Sequence, residues 1–102
     1  MSQERILIVE DEENERTGLA ELVRAWGYQA ETAEDGVEGL AKVESWEPSI
    51  VVTDLKMPRM DGMELLEQIG HAPQQIAVIL LTALGSIDAA VTAMKRGAFD
   101  FI

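Results

Sequence analysis

The amino-acid sequence predicts an α/β domain built on a doubly wound parallel sheet. Short apolar runs rich in β-branched residues alternate with stretches whose apolar residues recur at helical spacing. The alternation repeats four times at intervals of about 25 residues, and a further apolar run opens near residue 102. Repeated strand-helix units of this kind form a parallel sheet with helices on both faces, joined by right-handed crossovers. The length is that of one domain, residues 1–102, with neither a linker nor a low-complexity segment to divide it.

Arg5 to Val9 (RILIV) reads as the first strand, followed by a helix with Leu19, Leu22, Val23 and Trp26 on one face. Gly27 ends that helix and Tyr28 to Thr32 forms a weaker strand. Asp35 with Glu38 makes a D-x-x-E helix start, and the helix carries Val37, Leu40 and Ala41 until Pro48 closes the unit. Ser49 to Thr53 is the third strand; Asp61 with Glu64 repeats the D-x-x-E start before Leu65, Leu66 and Ile69, and Gly70 stops the helix. Ile76 to Leu81 (IAVILL) is the most uniformly apolar run, as expected of a central strand covered on both faces. Ser86 offers an N-cap for a helix with Ile87, Val91 and Met94, Gly97 ends it, and Ala98 to Ile102 begins a fifth strand.

Composition narrows the function classes. A formal net charge of −11 repels nucleic acid and anionic lipid, so direct binding to either by this chain is not expected. No apolar run approaches the roughly 20 residues of a membrane-spanning helix, and the start MSQERILIVE lacks the basic flank and apolar stretch of a signal peptide. There is no cysteine, and the expected compartment is the cytoplasm. Such an acidic chain can still gather a divalent cation where carboxylates converge.

In open parallel sheets, sites form beyond the carboxyl ends of the strands. Strand one ends in Glu10 and Asp11, strand three in Asp54 and strand four in Thr82. In the flavodoxin-like strand order 2-1-3-4-5 these three strands are neighbours about 4.8 Å apart, with Asp54 in the middle. Crowded carboxylates require protonation or a cation, and magnesium suits oxygen ligands of this kind. Asp11 and Asp54 are then expected as direct ligands and Glu10 as a ligand through water. A free position accepts a phosphoryl oxygen while Asp54 attacks phosphorus, and Thr82 donates its hydroxyl to the product.

Each element has a plainer reading. Taken alone, Glu10 and Asp11 cap a following helix more often than they bind a cation, and Glu12 to Glu15 suit the same role. A lone Asp or Thr after a strand is usually structural, so it is their coincidence at three neighbouring strand ends that favours a site. His71 reads as a solvated loop residue, Trp26 and Trp46 as core cover, and Met57, Met60 and Met63 as gap filling around a loop.

Together ILIVEDEEN, VVTDLKMPRMDG, ILLTA and GAFDFI resemble the receiver domain of bacterial response regulators, in the right order and across essentially the whole chain. The resemblance implies that Asp54 accepts a phosphoryl group from a sensor histidine kinase, with magnesium held by Glu10, Asp11, Asp54 and the backbone carbonyl of Lys56. It implies a switch in which Thr82 moves toward the phosphoryl group and Phe101 turns inward, changing the surface of the fourth helix and fifth strand, through which a homodimer can form. It also implies a regulatory phosphoacceptor rather than an enzyme, capable at most of its own phosphotransfer and dephosphorylation. AVTAMKRGAFDFI is most similar to receivers of enhancer-binding transcriptional activators, which makes transcription the expected output.

Three departures bear on this. Glu10 stands where many members have Asp, and the switch aromatic is Phe101 rather than Tyr. The sequence also ends at Ile102, before the family's lysine and last helix, so a truncated receiver that phosphorylates poorly is expected. The alternatives are an unphosphorylated interaction module of the same fold, a flavin domain and an Asp-dependent phosphatase. Glu10 to Glu13 repel a flavin phosphate, and Lys56 stands where the phosphatase needs a second Asp.

Overall fold

Alternation of apolar side chains along the first strand divides the core in two. The structure, a computed structural model, describes residues 4–54, 59–71, 76–81 and 100–101. β1 (Arg5–Val9) places Leu7 and Val9 in one apolar cluster and Ile6 and Ile8 in another, the two-residue period of a strand covered on both faces. Against Ile6 and Ile8 lies α1 (Glu13–Ala25), which contributes Ala20, Val23 and half-buried Leu19. On the Leu7 and Val9 side lie α2 (Gly36–Trp46) and α3 (Gly62–Ile69), which contribute Val43, Leu65, Leu66 and Ile69. Leu7 and Leu65 are fully buried, each stabilising the fold by about 2 kcal/mol.

The remaining strands are β2 (Gln29–Ala33), β3 (Ile50–Asp54), β4 (Ala77–Leu81) and β5 (Asp100–Phe101). They pair in parallel in the order β2-β1-β3-β4-β5, the flavodoxin-like order expected from the sequence. The chain moves outward from β1 to β2 and then crosses to β3 on the other side of β1, with α1 and α2 on opposite faces. The crevice of such a sheet therefore opens at the carboxyl ends of β1 and β3.

Both D-x-x-E starts are real. Asp35 Oδ1 accepts the Glu38 N–H and Asp61 Oδ1 accepts the Glu64 N–H, each at 2.9 Å. Glu12 caps α1 in the same way, accepting the Glu15 N–H at 2.8 Å. The apolar pattern of α3 also holds, with Leu65, Leu66 and Ile69 all buried.

Two helical phases differ from expectation. Along α1 the buried positions are Ala20 and Val23, whereas Leu22 and Trp26 are 46% and 65% exposed. Trp26 is the C-cap, past the last residue of the helix, so it does not cover the core as expected; Trp46 does pack against it, half-buried. Along α2, Val37 and Ala41 are exposed, and the buried face runs through Gly36, Gly39 and Val43. Glycines carry no apolar weight in a sequence pattern, yet here they bring the helix close to the sheet: a Cβ on Gly39 would lie 2.9 Å from Val9 Cγ2.

β4 is an internal strand between β3 and β5, as expected, and it alternates buried Val78 and Leu80 with half-buried Ala77, Ile79 and Leu81. The helix expected from Ser86, with Ile87, Val91, Met94 and its end at Gly97, lies outside the described residues. No helix among the described residues is long and apolar enough to cross a membrane.

Candidate functional site

Register brings the acidic residues together. Val9 of β1 lies opposite Thr53 of β3, so the next residue on each strand, Glu10 and Asp54, emerges at the same level. Asp54 is the last residue of β3, paired with Leu81 of β4, rather than the first residue beyond the strand. Glu10 continues the ladder on the other side, its N–H donating to the Ala33 carbonyl at 3.0 Å. One carboxylate oxygen from each of Glu10, Asp11 and Asp54 lies within 4.8 Å of the others.

The three are not equally placed. Glu10 is 3% exposed, Asp54 is half-buried and Asp11 is exposed. Burial pushes the Glu10 carboxyl up from its ordinary 4.5 to about 7, and the charges of Asp54 and Glu15 push the same way. The Glu12 N–H, which donates to Glu10 Oε1 at 3.1 Å, pulls in the opposite direction without compensating. Glu10, expected as a ligand through water, is the most enclosed of the three. Its capping share is also small, since Glu12 caps α1.

The loop between β1 and α1 is held by Arg16, whose Nη1 donates to the carbonyl oxygens of Glu10 at 3.0 Å and Asp11 at 3.4 Å. Beside it lies a cavity of about 450 Å³ lined by Asp11, Glu13, Arg16, Glu34 and Asp35. Thr53, fully buried, donates its hydroxyl to the Asp54 carbonyl at 3.1 Å.

On the far side of the site, the chain returning from Asp54 docks on the start of α2. Arg59 Nη2 lies 2.5 Å from Asp35 Oδ2, and the Gly36 N–H donates to the Met60 carbonyl at 3.2 Å. Asp35 is 7% exposed, and its carboxyl is held below the usual range, first by the Glu38 N–H and further by Arg59. The sequence gives Asp35 only as a cap; its partner Arg59, and the Met60 carbonyl that meets the Gly36 N–H, are missed. The available hint is the Asp-Gly pair at 35–36, where a glycine directly after a cap marks a close backbone approach.

An array of three carboxylates with one buried member is a set of hard oxygen donors, and it fits a divalent cation such as magnesium. Of the other residues expected at the site, Lys56 and Thr82 lie outside the described residues. Phe101 belongs to β5 and pairs with Leu80 of β4.

A family model for the response regulator receiver domain matches residues 6–102. Among characterised proteins, the transcriptional regulatory protein ZraR of Klebsiella oxytoca is 39% identical over 97 residues, covering 95% of this chain and 22% of ZraR. The DNA-binding transcriptional regulator NtrC of Salmonella typhimurium is 37% identical, with 95% and 21% covered. The C4-dicarboxylate transport regulator DctD of Pseudomonas aeruginosa is 35% identical over 102 residues, with 99% and 22% covered. The chain thus spans about a fifth of the length of these relatives. Among solved structures, a receiver domain protein from Methanospirillum hungatei superposes with a TM-score of 0.93 at 33% identity, covering 99% of this chain and 81% of that one. One from Clostridium thermocellum gives 0.91 at 35%, with 97% and 80% covered.

Proposed function

The chain belongs to the response regulator receiver family, and from that premise we propose that Asp54 is its phosphoacceptor, charged by a sensor histidine kinase in the cytoplasm to regulate transcription. The observation that carries this reading is the β1–β3 register, which sets Asp54 beside Glu10 and Asp11 with their oxygens within 4.8 Å.

In the transfer step a carboxylate oxygen of Asp54 attacks phosphorus in line with the leaving imidazole. The P–N bond breaks, its electron pair returns to the imidazole nitrogen, and that nitrogen takes a proton from solvent. Asp54 is left as an acyl phosphate. Asp54 suits the role because the strand end fixes its backbone while its half-buried side chain remains accessible. Glu10, Asp11 and Asp54, with the Lys56 carbonyl that the family resemblance implies, would hold magnesium, which when bound would supply the positive charge that offsets the carboxylates and the incoming phosphoryl oxygens. Glu10, the most enclosed of the three, would share in holding it.

Thr82 then donates its hydroxyl to the phosphoryl group and Phe101 turns inward, altering the β5 surface. That surface serves a homodimer or the output of a longer regulator of the enhancer-binding kind. The domain regulates; it turns over nothing but its own phosphoryl group, and with its acidic surface it makes no direct contact with nucleic acid.

Intact-mass spectrometry after treatment with acetyl phosphate and magnesium tests the reading. One added phosphoryl group is expected, located on Asp54, and absent from Asp54→Asn and from samples with excess EDTA. If neither acetyl phosphate nor a phosphorylated histidine kinase labels Asp54 in a receiver extended past Ile102, the domain is an interaction module and the phosphoacceptor reading fails.

A further inference from the structure

β2 is an outer strand of the sheet, and the hydrogen bonds at its two ends show which way its backbone faces. The Gln29 N–H donates to the Glu4 carbonyl and the Ala33 carbonyl accepts from the Glu10 N–H, so residues 29, 31 and 33 turn toward β1. Ala30 and Thr32, between them, turn their N–H and C=O groups away from the sheet. Such an edge is a template on which a strand of another chain can pair.

Both outward carbonyls are already engaged, and each by a charged group. Arg24 Nη2, in the last turn of α1, donates to the Ala30 carbonyl at 2.9 Å, and the Lys42 ammonium, on α2, donates to the Thr32 carbonyl. Since α1 and α2 lie on opposite faces of the sheet, the two cations reach one edge from its two sides. Lys42 has Glu31 and Glu38 to pair with, yet its side chain is only 29% exposed and its ammonium turns in to the strand. β2 itself (QAETA) carries neither lysine nor proline, the residues that commonly guard an open edge, so the guard comes from the neighbouring helices. An added strand would stand about 4.8 Å away, with its N–H groups where the guanidinium and the ammonium now sit.

We propose that Arg24 and Lys42 close the β2 edge against pairing with β2 of a second copy of this chain. The closure is independent of the acidic site and of phosphoryl acceptance.

The test is self-association of the unphosphorylated chain in EDTA, read by analytical ultracentrifugation. Arg24→Met with Lys42→Met keeps the apolar stems and removes both donors. Glu31→Gln is added because Glu31, deprived of Lys42, would set like charges against each other across two joined edges. The triple variant should associate at least about tenfold more tightly than Glu31→Gln alone, and hydrogen exchange at the Ala30 and Thr32 amides should slow as it does so. Electrostatics alone predicts the reverse, because losing two cations from a chain of net charge −11 drives copies apart. Exchanging the two cations, Arg24→Lys with Lys42→Arg, should leave the Glu31→Gln chain monomeric. Lys42→Met with Glu31→Gln is the milder variant should the triple one unfold, and it should slow exchange at Thr32 to a smaller extent. Folded variants that associate within about twofold of Glu31→Gln overturn the proposal. So does association that leaves the Ala30 and Thr32 amides exchanging as in the monomer. Unfolding of both Met variants overturns it as well, since Arg24 and Lys42 would then serve the fold itself.

Discussion

The end of β1 and the start of α2 each bury a carboxylate, and they treat its charge in opposite ways. Asp35, 7% exposed, meets the Glu38 N–H on one oxygen and the Arg59 guanidinium on the other, and its carboxyl is held below the ordinary range. Glu10, 3% exposed, meets one N–H and two other carboxylates, and its carboxyl is pushed up to about 7. Burial alone therefore does not separate a structural acid from a functional one. At Asp35 the charge is answered from within the chain, whereas among the described residues no cation answers that of Glu10.

Removing each carboxylate should accordingly move stability in opposite directions, and the larger effect is expected at Asp35. Asp35→Ala strips the α2 cap and orphans both the Glu38 N–H and Arg59. It should cost about 2–3 kcal/mol in urea unfolding. Because the folded carboxyl is held below its ordinary 3.8, this contribution is present above that pH and lost as pH falls through the lower folded value. A cost near zero at neutral pH would make the two carboxylates alike and dissolve the contrast.

Glu10→Gln should stabilise the metal-free chain. The folded carboxyl titrates near 7 and the unfolded one near 4.5, so between these values the native state binds more protons and wild-type stability falls as pH rises. In EDTA at pH 8 the glutamine variant should exceed wild type by about 2 kcal/mol, and the difference should close toward pH 4.5. Magnesium at pH 8 should narrow the gap by stabilising wild type more than the variant. Equal stability of the two chains at pH 8 in EDTA would mean that Glu10 finds its compensation inside the protein after all.

The same contrast separates what is legible in the sequence from what is not. Strand ends at Glu10, Asp11 and Asp54 are readable because a parallel sheet places sites at its carboxyl edge, and the family motifs surround all three. Which of the three is buried is not readable, because it depends on how β1 and β3 align at Val9 and Thr53 and on how closely α2 lies over Val9. Asp35 announces itself as a cap through Glu38, a partner three residues away, but its bond to Arg59 forms only when the β3–α3 connection docks on α2. The phases of α1 and α2 fail for a related reason. Periodicity weights Leu22, Trp26 and Val37, whereas small residues, Ala20, Gly36 and Gly39, decide which faces approach the sheet.

Lys42 supplies the smallest test of the comparison. It lies 3.7 Å from Glu31 and 3.6 Å from Glu38, and its ammonium also donates to the Thr32 carbonyl. These are two carboxylates answered by a cation, as at Asp35, but Glu31 and Glu38 are 46% and 39% exposed in their side chains. Water and salt already solvate such charges, and long side chains lose freedom when they pair. Lys42→Ala should therefore cost only about 0.5 kcal/mol in urea unfolding, and less at high salt. A loss as large as that of Asp35→Ala would show that charge pairing stabilises this fold irrespective of burial, and the reason for setting Glu10 apart from Asp35 would then have to be sought in the cation itself.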